Sequence, residues 1–163
     1  MSRWISLIAS GAAGIVAGLI TGTWIAKKAD ADEGNSWKAY ADKHMEMFLL
    51  MNQWVRAKQD GKSFASCLRN MGIKTIAVYG MHYIGETLIR ELENTEIQIL
   101  YGIDKNAEDM IYPEVDVITM DSRFEPVDAI IVTAITCFDE IKAALEKKCN
   151  CKIISIEDIV YNA

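Results

Sequence analysis

The chain contains no basic stretch interleaved with aromatics, and its 17 Lys and Arg are outnumbered by 23 Asp and Glu, for a formal net charge of −6. Phosphodiester backbones are held by such stretches, so no nucleic acid is expected among the partners. Cysteine is sparse, four in 163 residues. Cys67, Cys137, Cys149 and Cys151 lack the regular spacings of a small disulfide-stapled secreted domain, which favours a reducing compartment. Histidine is scarcer still, with two in the chain. Cys149-Asn150-Cys151 also lacks the two-residue spacer of zinc and redox motifs, so no four-ligand metal site assembles. A structural or loop role for these two cysteines is favoured over a redox one.

Charge is also missing from Trp4 to Ala26, a run longer than the ~20 apolar residues a helix needs to cross a bilayer. Trp4 and Trp24 bracket it at the depths where indoles sit, and Arg3 before it against Lys27 and Lys28 after it points the C-terminal side to the cytoplasm. The expected location is the cell membrane, single-pass, with a cytoplasmic C-terminal domain. The alternative, a cleaved signal peptide, requires a shorter apolar region of ~7–15 residues. Ser10, Gly14, Gly18 and Gly22 recur every fourth residue and line one face with small side chains. That stripe reads either as a homo-oligomer contact or as the ordinary glycine content of membrane helices.

With 51% apolar and 25% charged residues, the remainder has the composition of a folded domain. Asn35 or Ser36 caps a predicted helix that runs to Asp60-Gly61. Trp37, Tyr40, His44, Met47, Met51 and Trp54 share one apolar face of it, which is expected to be buried on the domain or against a second copy. His44 reads as a packing residue rather than a ligand. Ser63 caps a shorter helix, Phe64 to Asn70. Gly61-Lys62-Ser63 is not a phosphate loop, because Arg56 stands where that motif needs glycine and a helix precedes it.

Past Gly72, short β-branched runs alternate with helical ones, the pattern of parallel βαβ units. Strands are expected at Thr75 to Tyr79, Ile97 to Ile103, Val115 to Thr119, Ala129 to Thr133 and Lys152 to Ser155, with helices at Ile84 to Glu93 and Phe138 to Lys147. The fold class is α/β: a small doubly wound parallel sheet, Rossmann-like, of about five strands in order 3-2-1-4-5. A transmembrane helix and a helical hairpin precede it. The division is 1–34 for anchor and linker, 35–72 for the helical segment and 73–163 for the α/β domain.

Ligands of such sheets sit at the carboxyl ends of the strands, beside the switch in strand order. There Gly80-Met81-His82-Tyr83-Ile84-Gly85 enters a helix where the dinucleotide fingerprint G-x-G-x-x-G would stand. Gly80 suits the tight turn and Gly85 the close helix contact, and the helix N-terminus offers amides to an anion. His82 replaces the middle glycine; it is a phosphate donor, a block that leaves the domain a relic, or an exposed loop residue. Asp104 ends the second strand where an acid accepts from a ribose diol, and equally where a turn residue belongs. Thr133 and Thr136 after the fourth strand, and Asp121 after the third, are edge ligands or helix caps. No carboxylate or serine partner for His82 is identifiable, so no catalytic residue is assigned.

From Met51 onward the chain resembles a family of bacterial Rossmann-like domains attached to, or encoded near, glycosyltransferases and other polysaccharide-biosynthesis proteins. The resemblance rests on Met51-Asn52-Gln53-Trp54, Gly61-Lys62-Ser63, the stretch Gly72 to Met81, Tyr101-Gly102-Ile103-Asp104-Lys105-Asn106, Val132-Thr133-Ala134, Phe138-Asp139-Glu140-Ile141 and Ile154-Ser155-Ile156-Glu157-Asp158. It is similar to the N-terminal half of membrane nucleotide-sugar dehydratases, whose glycine triplet His82 interrupts here. The resemblance implies a nucleotide, NAD(P) or nucleotide-sugar ligand and names no reaction. The expected function is a membrane-anchored binding module, without strong catalysis, accessory to cell-envelope polysaccharide biosynthesis. The alternatives are a ligand-free scaffold docking a glycosyltransferase or transporter, and an NAD(P)-dependent oxidoreductase subunit.

Overall fold

The structure, a computed structural model, describes residues 36–109, Tyr112 and residues 114–163. The charge-free segment from Trp4 to Ala26, with Gly14, Gly18 and Gly22, lies outside the described residues. Among those described, no helix is long and apolar enough to cross a membrane. The chain divides into a first unit that ends at His44 and a compact second unit, Met45–Ala163.

Residues 36–59 are helical (α1). Trp37 is 71% exposed and Tyr40 59% exposed within this single chain, and His44 is exposed too. Tyr40 packs edge-on against His44 at 4.2 Å and against Trp37 at 6.2 Å. Burial belongs to Leu50, Trp54 and Ala57, with Met47 and Met51 half-buried beside them. Those positions recur at three and four residues, the spacing of one helical stripe.

The second unit then runs as α2 (Phe64–Asn70), β1 (Thr75–Tyr79), α3 (Tyr83–Leu92), β2 (Gln98–Ile103), β3 (Val117–Ile118), β4 (Ala129–Val132), α4 (Phe138–Leu145), β5 (Lys152–Ser155) and α5 (Ile156–Asn162). Ser63 caps α2 by accepting the Ser66 amide at 3.2 Å. The five strands form one parallel sheet in the order β3-β2-β1-β4-β5. β1 sits at its centre, pairing Tyr79 with Ile103 of β2 on one side and with Val132 of β4 on the other. The third strand is shorter than Val115 to Thr119, with two paired residues against Gly102 and Ile103.

Successive side chains of a strand point to opposite faces, and the core divides accordingly. Ile76, Val78, Ala129 and Ile131 face one layer, where Leu50 and Trp54 of α1, Phe64 and Leu68 of α2, Leu88 and Leu92 of α3, and Ile156 and Ile159 of α5 pack. Ala77, Tyr101, Ile103, Ile130 and Val132 face the other, closed by Leu145 of α4 with Phe124, Phe138 and Ile141 against it. Because β4 is buried along its whole length, it reads as a continuous apolar run, as central parallel strands do.

α5 was not anticipated from the sequence. Ser155 accepts the Glu157 amide at 3.2 Å, Glu157 and Asp158 place negative charge in the first turn, and Ile156, Ile159 and Val160 are buried at helical spacing. Acids at a helix start oppose its positive dipole end.

Candidate functional site at the carboxyl edge of the sheet

Strand order reverses between β1 and β4, so the crevice of such a sheet opens beyond Tyr79 and Val132. The chain leaves β1 through Gly80 at φ +92, a left-handed conformation that side chains rarely adopt. A Cβ there would also stand 2.7 Å from Thr133 Oγ1. Five residues on, a Cβ on Gly85 would overlap the Gly80 carbonyl oxygen. The turn and the first turn of α3 are thus in backbone contact, which requires Gly85, while Gly80 is required by its φ and by Thr133.

The residues singled out in the sequence separate into two groups. Gly80, Met81, Asp104 and Thr133 are knotted together. Thr133 Oγ1 donates toward the Gly80 carbonyl at 2.6 Å and lies 3.0 Å from that of Tyr79. Asp104, only 6% exposed, accepts the Met81 amide at 2.9 Å on Oδ2 and the Asn106 amide at 3.0 Å on Oδ1. A buried carboxylate is tolerated when charge-assisted bonds of this kind replace its water. The Oδ1 bond, from two residues on, is that of an Asx turn. Met81 is fully buried, and its thioether lies so close over Gly102 that a Cβ there would come within 2.6 Å of the sulfur.

His82, Tyr83 and Thr136 form the other group, and all three are exposed. His82 takes the N-cap position of α3 with extended backbone (φ −78, ψ −162), and its side chain makes no capping bond. Its negative φ needs no glycine. The imidazole therefore neither fills the crevice nor occupies the leading amides of the helix. Tyr83 opens the helix 76% exposed. Glu86, also in that first turn, is paired with Arg90 at 2.7 Å. Thr136 stands in a short 3-10 turn, Ile135–Cys137, with its hydroxyl 3.7 Å from the Cys137 sulfur. Asp121 is fully exposed and lies 3.6 Å from Lys148.

Two tyrosines at this edge were missed. Tyr112 donates its hydroxyl to the Met81 carbonyl, and burial, followed by the charges of Glu86, Asp104 and Glu114, raises its pKa. Tyr79 is raised by burial first, then by Asp104 and Cys137. A tyrosine ending the central strand was the available signal for Tyr79; Tyr112 stands between β2 and β3 in a stretch of sequence without periodicity to mark it. The edge thus carries the leading amides of α3, which no side chain caps, beside the Tyr112 phenol that donates to Met81. Among the described residues no group of three or more His, Cys, Asp or Glu could hold a metal ion.

Comparison with known proteins returns no family model, no curated protein and no solved structure that matches this chain.

Proposed function

We propose that the chain is a membrane-anchored module that binds a nucleotide or nucleotide sugar at the β1–α3 turn, accessory to cell-envelope polysaccharide assembly and without catalysis of its own. One observation carries the reading: the ten-residue α3 begins beside the switch point with no side chain capping its first amides, and His82 stands clear of them. Uncapped amides and the positive end of the helix dipole favour a phosphate group. Gly80 and Gly85 bring backbone, not side chain, to that position. Anchoring is supported by the charge-free run Trp4 to Ala26.

The test is titration of the full chain in detergent with NAD, NADP and nucleotide sugars. Saturable binding of at least one is expected, and its loss on adding a negative charge at the turn, Tyr83→Glu, places the site. No saturation with any of these ligands overturns the reading.

A second reading, a ligand-free domain that docks a glycosyltransferase or transporter, is favoured by Asp104. Both its oxygens are already engaged by backbone amides, which leaves a ribose diol to compete for remaining lone pairs. His82→Gly separates the two: binding by the native chain supports the first, and binding that appears only in the variant supports the second. Turnover of reduced cofactor in membranes would instead support an oxidoreductase subunit.

A further inference from the structure

The segment joining α4 to β5 carries Lys148-Cys149-Asn150-Cys151. α4 ends at Leu145, whose carbonyl accepts the amides of Lys148 at 2.8 Å and Cys149 at 3.0 Å. The Cys149 thiol donates to the same carbonyl at 3.3 Å. This tight wrap turns the chain so that the Cys151 thiol points at Cys149, with the two sulfurs 3.4 Å apart. The sequence spacing argued for structural cysteines because one intervening residue is shorter than the usual redox motif. Spacing does not reveal the sulfur separation that a turn imposes, and here the turn brings the sulfurs into contact.

Both cysteines are half-buried and free. They border a cavity of about 290 Å³ that is also lined by Tyr101, Phe124 and Lys148. Lys148 is held over it, donating to the Met120 carbonyl at 2.6 Å and lying 5.9 Å from the centre of the Phe124 ring. The sulfurs are therefore reachable by a small molecule from one side and packed against the second core layer on the other.

We propose that Cys149 and Cys151 are a reversible dithiol–disulfide site whose oxidising partner is a low-molecular-weight disulfide. Cys149, as thiolate, attacks one sulfur of the incoming disulfide; that S–S bond breaks and the released thiolate takes up a proton, leaving a mixed disulfide on Cys149. Cys151 then loses its proton and attacks the Cys149 sulfur, which expels the second small thiol and joins the two cysteines. Two thiols are oxidised to one disulfide, one small disulfide is reduced to two thiols, and the two protons leave on those products.

The geometry sets this order. Cys151 donates to the Cys149 sulfur while Cys149 donates to the Leu145 carbonyl, so a thiolate formed at Cys149 keeps the Cys151 thiol as a donor. Burial and the Cys149 sulfur push the Cys151 thiol up to about 12, which keeps it a donor until the mixed disulfide forms. Closure needs the sulfurs to approach from 3.4 Å to about 2.05 Å, within reach of side-chain rotation. A bridge over a single intervening residue is a tight ring, and strained bridges are the readily reduced, regulatory ones. A cytosolic thiol pool then holds the pair reduced until its disulfide fraction rises.

The experiment equilibrates the full chain in detergent with stepped ratios of oxidised to reduced glutathione, alkylates the remaining thiols, and digests after lysine. Cleavage at Lys148 and Lys152 leaves both cysteines in one short peptide. The expected product is that peptide lighter by two hydrogens and unalkylated, restored to two alkylated thiols by dithiothreitol, while exposed Cys137 gains at most a single glutathione. Cys151→Ser is expected to trap glutathione on Cys149, and Cys149→Ser to slow modification of Cys151 about tenfold or more, since exchange follows thiolate access. Full alkylation of Cys149 and Cys151 at ratios that modify Cys137 overturns the proposal. So does a bridge from either cysteine to Cys67, Cys137 or a second chain.

Discussion

The carboxylate of Asp104, at the end of β2, holds the Met81 amide at 2.9 Å across the mouth of the β1–α3 turn. That bond fixes the turn from the neighbouring strand, while Thr133 fixes it from β4 on the opposite side. The candidate ligand position is thus built on a backbone braced from both flanks, as preorganised binding requires.

Asp104→Ala removes two charge-assisted bonds and leaves the buried Met81 amide without a partner. The expected loss is about 2–4 kcal/mol, from the cost of bonds to charged groups and of unsatisfied buried donors. Asp104→Asn keeps one acceptor but sets an NH2 against a backbone donor, and is expected to lose about half of that. Urea unfolding followed by circular dichroism measures both. A loss under about 0.5 kcal/mol for the alanine variant, the range of ordinary surface changes, would show that the turn does not depend on this carboxylate.

Gly85→Ala places a methyl group on the Gly80 carbonyl oxygen, a backbone atom that cannot rotate aside. Alanine suits a helix better than glycine by roughly 1 kcal/mol, so propensity alone predicts a stabilised protein. Overlap with fixed backbone outweighs it, and a net loss of about 1–3 kcal/mol is expected, in the range of overpacking. Thermal unfolding decides the sign: a raised Tm would mean that the turn and helix are not in contact.

Strand positions and order were legible in the sequence because each strand is a short β-branched run fenced by turn residues, and β1 to β5 all fall on such runs. The helix Ile156–Asn162 was not, since its apolar residues follow β5 without a break and only Ser155 marks the change of period. At the site, Gly80 and Gly85 could be placed from spacing because steric demands at a turn are local. The engagement of Asp104 with Met81 could not, because it depends on how far β2 extends beside β1, a tertiary quantity. The outward position of His82 is likewise a tertiary quantity that spacing does not encode.

Trp37 and Trp54 share one face in the helical pattern of α1 but differ in environment. Trp54 is 4% exposed and meets Phe64 edge-on at 4.9 Å, whereas Trp37 is 71% exposed. Trp54→Ala is expected to cost about 3–5 kcal/mol, as large-to-small core changes do, and Trp37→Ala to stay within about 0.5 kcal/mol. Urea midpoints of the two variants test this together. Equal losses would show that the face is buried along its whole length.

Asp128 stands just before β4 and accepts on Oδ2 the amides of Thr75 at 2.9 Å and Lys74 at 2.8 Å, while its own amide donates to Thr75 Oγ1 at 3.1 Å. It is the tie between the N-terminal ends of the two central strands. The Thr75 amide, then that of Lys74, holds its pKa below the ordinary carboxylate value. A depressed folded pKa means that the unfolded chain takes up a proton first, so this contribution is complete above the unfolded value of about 3.9. It is lost as the pH falls through the folded value. Wild type is therefore expected to be more stable than Asp128→Asn near pH 6, with the gap narrowing below about pH 4, where the unfolded carboxyl takes up its proton. Tm measured for both across that range checks it, and a gap that does not change with pH would show that the tie owes nothing to the charge.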